Sequence, residues 1–82
     1  MSFKKYPLVC IDWDYHHGDA GWVEKISTDA EILKAQTVGL LVDESKKAYH
    51  VMDTRTNDGG HGGYSLILKS CVTDYKVIRK KY

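Results

Sequence analysis

The run TVGLLVDESKKAYHVMDT, residues 37–54, decides how this chain folds. Its opening third, residues 37–42, is a compact apolar stretch around Gly39. Such a stretch suits a central, well-buried strand with a bulge or sharp bend at the glycine. Asp43, Glu44, Ser45 and Lys46 then supply turn chemistry. Residues 48–54 alternate, with Tyr49, Val51 and Asp53 against His50, Met52 and Thr54, as successive side chains of a strand do. Strand, polar turn and strand together spell a β-hairpin.

Working outward, residues 6–13 divide the same way. Leu8, Cys10 and Asp12 take one side, while Val9, Ile11 and Trp13 form the core side. Pro7 is tolerated at the start of an edge or first strand. Residues 64–69 and 72–78 are two further strands, with Ser70 and Cys71 as a tight connection between them. Thr28 followed by Glu31 matches a capping box. It predicts a short helix over residues 29–34, fastened by Ile26, Ile32 and Leu33. Five short strands and one helical turn indicate a mostly β fold, a small five-stranded SH3-like barrel. The alternative is an open antiparallel sheet with a helix laid across it.

Eighty-two residues make one domain, spanning 1–82. A chain of this length buries only about two-thirds of its unfolded surface, which favours a homo-oligomer. Twelve basic residues against eleven acidic ones leave a net charge of +1. That balance gives no reason to expect a nucleic acid as partner, because such binders are basic over a whole face. Lys76, Arg79, Lys80 and Lys81 gather late in the chain and suggest a solvated, fraying terminus. Cys10 and Cys71 belong to no paired-cysteine motif, and their apolar flanks suggest buried free thiols. No secretory leader and no apolar run of membrane length is legible, so a cytoplasmic location is expected.

Four groups of residues carry possible chemistry. Asp12, Asp14, His16, His17 and Asp19, with His61 elsewhere, are metal-ligand types, but their spacing fits no known ligand pattern and a hydrophilic loop is the simpler reading. Asn57 to Gly63 is rich in glycine, whose bare N–H groups can cradle an anion, although the lysine and hydroxyl of a triphosphate loop are missing. Trp13, Tyr15, His16, His17 and Trp22 could stack a base or a partner's side chain, with both tryptophans also needed as core. Nothing resembles a nucleophile elbow or a paired-carboxylate site, so no catalytic residue and no cofactor is expected and the chain reads as a non-enzyme.

The segments CIDWDYHHGDAGW (residues 10–22), TVGLLVDES (37–45) and GGYSLILKSCV (62–72) resemble small single-domain proteins of tailed bacteriophages. Members of that group often carry Trp where this chain has Leu40. The resemblance implies an SH3-like barrel and a role in the host cytoplasm, against host defence or on host machinery. One such role is a sponge that sequesters a cyclic-nucleotide immune signal without cleaving it. Tyr15, His16, His17, Arg55, Asn57, Gly60 and His61 would then line the ligand site. The alternative is a protein-binding module that inhibits or assembles with a host or phage protein.

Overall fold

The computed structural model describes residues 2–16 and 32–82. Its strands are β1 (Leu8–His16), β2 (Ile32–Glu44), β3 (Ala48–Met52), β4 (Thr54–Arg55), β5 (His61–Gly62), β6 (Ser65–Leu68) and β7 (Val72–Arg79). Five of them form one antiparallel sheet in the order β6-β3-β2-β1-β7, and β4 with β5 makes a separate two-stranded ribbon. A 3-10 turn at Lys69–Cys71 joins β6 to β7 where a tight connection was expected. The mostly β expectation holds, and each of the five strands legible in the sequence has its counterpart. Among the described residues, no ladder between β6 and β7 closes the sheet.

The helix expected over residues 29–34 fails where it can be seen. Residues 29–31 lie outside the described residues, but Ile32, Leu33 and Lys34 belong to β2, opposite His16, Tyr15 and Asp14. The ladder wins because each position gains a cross-strand partner. Lys34 Nζ meets Asp14 Oδ1 at 2.5 Å, and Gln36 Nε2 donates to Asp12 Oδ1 at 2.8 Å. Trp22 and the capping-box residues Thr28 and Glu31 lie outside the described residues.

Alternation along β1 puts Val9 and Ile11 into the core, both fully buried, together with Val51 and Ile67. Each such burial contributes roughly 1.5–3 kcal/mol. Trp13, Leu41, Tyr49, Val72 and Tyr75 pack around these four. Half-buried Trp13 donates its indole N–H to Thr37 Oγ1 at 3.0 Å, so the ring's polar edge is satisfied as it packs. The bulge expected at Gly39 sits instead between Leu41 and Asp43. At Gly39 the glycine serves close approach: a Cβ there would lie 2.7 Å from Val51 Cγ1 and 2.8 Å from the Met52 carbonyl oxygen. Tyr49 of β3 stacks on Tyr75 of β7, centroids 4.7 Å apart and planes 12° off parallel. That contact draws strands from opposite halves of the sheet together over the core.

Two smaller expectations need correcting. The basic terminus, expected to be solvated and fraying, is exposed but tied at its last residue: Tyr82 N–H donates to the Tyr6 carbonyl at 2.9 Å, and Tyr6 N–H returns to the Tyr82 carbonyl at 3.4 Å. Cys10 and Cys71 are free thiols, but each is half-buried rather than buried. Cys10 sits on the solvent side of β1, and Cys71 closes the 3-10 turn. Among the described residues, no helix is long and apolar enough to cross a membrane.

Candidate docking edge

Of the residues expected to line a ligand site, the structure gathers some and separates others. Arg55 and His61 face each other across the β4–β5 ribbon, with Asn57 and Gly60 in the turn between. Tyr15 stands at the far end of β1, edge-on to Trp13 at 5.6 Å, and His16 ends that strand. His17 lies outside the described residues. His61 Nε2 is hydrogen-bonded at 3.0 Å to Tyr6 Oη, which precedes the near end of β1. Tyr6 and Tyr15 are nine positions apart on extended chain, about 30 Å. Within one subunit the two halves of the expected site do not meet.

The groups on the ribbon are also committed locally. The Arg55 guanidinium donates to the carbonyls of Lys4 and Tyr82 and lies 5.5 and 5.3 Å from the ring centroids of Phe3 and Tyr82. It therefore clamps both ends of the chain. In the turn, Gly60 N–H donates to Thr56 Oγ1 at 2.9 Å and to Asp58 Oδ1 at 3.2 Å. The Thr56 hydroxyl also donates to Asp58, and these bonds hold the Asp58 carboxyl below its ordinary range. An anion already occupies this glycine turn, and it is the loop's own carboxylate.

Another surface has groups left over. Among the described residues, β6 pairs with β3 on one side only, through Val51–Ser65, His50–Leu66, Tyr49–Ile67 and Ala48–Leu68. Alternation turns Ile67 into the core and leaves Leu66 at 50 % and Leu68 at 48 % exposure, beside Tyr64 at 54 %. Residues 64–68 hold no charge that would guard an open strand margin. Tyr64 is steadied by a 2.6 Å hydrogen bond between its hydroxyl and His50 Nδ1.

At the end of β6 the chain turns into a basic recess of about 410 Å³, lined by Lys46, Lys47, Leu68, Lys69 and Ser70. Lys69 N–H donates to the Lys47 carbonyl at 2.7 Å, tying the β2–β3 turn to the 3-10 turn. The Lys69 ammonium bonds Glu44 Oε2 at 2.5 Å and lies over the Tyr49 ring. The bond to Glu44 pushes its pKa up. Lys46 and Lys47 have no side-chain ion partner among the described residues. The recess therefore carries net positive charge. A second recess, of about 400 Å³, is lined by Asp12, Trp13, Lys34, Ala35, Gln36 and Thr73. Its charged groups already have partners, Lys34 in Asp14 and Asp12 in the Gln36 amide.

Tyr64, Leu66, Leu68, Lys46 and Lys47 were not singled out from the sequence as functional. The available signal was five successive residues, 64–68, without a charge. Among the described residues, no cluster of three His, Cys, Asp or Glu could hold a metal ion. No family model, curated protein or solved structure matches the chain.

Proposed function

We propose that this chain is a non-enzymatic protein-binding module that takes an extended segment of a partner protein as an added strand along β6. The observation that carries this reading is the uncharged, unpaired margin of β6 running into the recess of Lys46, Lys47 and Ser70. Strand addition uses the free backbone groups of a sheet margin for affinity and side-chain pockets for choice. The partner segment is accordingly apolar at alternate positions, to cover Leu66 and Leu68, and acidic where it reaches the lysines. Within this reading the domain is an SH3-like barrel left open between β6 and β7. The meander of β1, β2, β3 and β6, the return of β7 to pair with β1, and the 3-10 link between the last two strands support that assignment. The resemblance to phage proteins supports a partner among host or phage proteins in the host cytoplasm.

A nucleotide-sequestering role draws on one observation, the same basic recess, whose two unpaired lysines would suit a phosphate. The separation of Tyr15 from His61 weighs against the single-subunit pocket that role first suggested. One titration distinguishes the two. Amide resonances of residues 64–70 should shift on adding an extended peptide of alternating valine and threonine that ends in two glutamates. The shifts should disappear in Leu66→Lys and weaken in Lys46→Glu. If that peptide leaves β6 undisturbed while a cyclic oligonucleotide raises the melting temperature by mass action, the nucleotide role takes its place.

A further inference from the structure

We propose that β7 is a dimer seam: two copies of this chain pair their β7 strands antiparallel about a twofold axis through Tyr75, joining their sheets into one. This surface is distinct from the β6 margin, and the inference stands independently of the partner proposed there.

Among the described residues, β7 is the longer of the two sheet margins, eight residues against four, and it pairs with β1 on one side only. An open margin of that length is a template for a further strand. Its own sequence decides which strand fits. A twofold axis normal to a sheet keeps each side chain on its face, so residues equally far from the axis stand opposite one another. Centring the axis on Asp74 or on Lys76 sets like charges face to face. Centring it on Tyr75 sets Asp74 opposite Lys76 of the second copy, twice over. Centring on Val77 leaves Asp74 opposite Lys80, beyond the end of the strand at Arg79. Residues 74–77 are the stretch of β7 in unbroken register with β1, with irregularities on either side. The Tyr75 register is therefore the one that matches charges inside the regular stretch.

A second observation points the same way. Within the subunit, Asp74 stands directly opposite Asp12 of β1, and Lys76 stands opposite Cys10. Like charges directly opposite in a sheet are destabilising. Gln36 relieves Asp12 through its hydrogen bond, but neither Asp74 nor Lys76 has an ion partner among the described residues. A second copy supplies Lys76 to Asp74 and takes the same in return.

The dimer has a structural consequence. The β1 strands of the two copies run in opposite directions, so Tyr15 of one copy and the Tyr6–His61 pair of the other lie at the same end of the joined sheet. They are separated laterally by three strand spacings, about 14 Å.

The test is a charge swap on the intact chain, read by sedimentation equilibrium and native mass spectrometry at high micromolar protein. Wild-type protein should have twice the protomer mass. D74K and K76D, each placing like charges opposite one another at two positions, should raise the dimer dissociation constant roughly tenfold or more. The double variant D74K/K76D should restore it. Circular dichroism and thermal melting of the dilute variants separate loss of pairing from loss of fold. A monomeric wild type overturns the proposal, and so does a dimer whose dissociation constant ignores both single swaps.

Discussion

Gly59 and Gly63 look interchangeable in the sequence, yet the fold asks different things of them. Both have positive φ, 93° and 67°. A Cβ on Gly59 would meet nothing within 4 Å, whereas one on Gly63 would fall inside the Asp53 carboxylate. Gly59→Ala should therefore cost about 1 kcal/mol, the backbone penalty alone. Gly63→Ala should cost somewhat more, because the exposed Asp53 carboxylate must also swing aside and give up its bond from the Thr54 hydroxyl. Urea unfolding of the two variants side by side checks the order, and equal losses would refute this account of Gly63. The same contrast marks what was legible at this scale. Glycine content alone suggested an anion cradle, but the fate of each N–H depended on where the Thr56 hydroxyl and the Asp58 carboxylate came to rest.

Elements were legible wherever period-two alternation met a buried face. Val9, Ile11 and Trp13 identify β1, and Tyr49 and Val51 identify β3, because an apolar side chain every second residue has no other economical home. The extension of β1 and β2 toward His16 and Ile32 was hidden. Residues 14–16 looked like the start of a polar loop and residues 32–34 like the end of a helix, because Asp14 and Lys34 gave no sign of the strand each was to face. Only the opposed partner strand turned those polar residues into cross-strand pairs. The β4–β5 ribbon depends even more on distant partners, being two residues per strand and held against the chain ends by Arg55. Arg55→Met keeps the stem but loses the donors. It should destabilise the fold by about 1 kcal/mol and speed amide exchange at Tyr6 and Tyr82. Exchange at Val9 and Ile11 should stay slow, and uniform acceleration would show that the clamp is not local.

Over the whole molecule, the stack of Tyr49 on Tyr75 ties the two halves of the sheet together. Burial and the neighbouring Tyr49 push the Tyr75 phenol above its ordinary pKa, in keeping with a ring held away from water. Tyr49→Leu preserves an apolar body and removes the aromatic pairing, which should cost about 1 kcal/mol. Hydrogen exchange should then rise in β7 as well as β3, and a response confined to β3 would deny the tie. Local alternation and turn chemistry were enough to specify a mostly β chain, its five main strands and the inward side of β1 at Val9 and Ile11, since those depend on near neighbours and on water, whereas the burial of Val51 and Ile67 beside them emerged only in the assembled sheet. Which strand margins stay open, that Arg55 and Asp58 are already engaged, and that Tyr15 and His61 stand at opposite ends were settled by tertiary structure alone. Those facts arise from contacts between residues as far apart as Leu8 and Arg79, and no local pattern encodes which distant groups will meet.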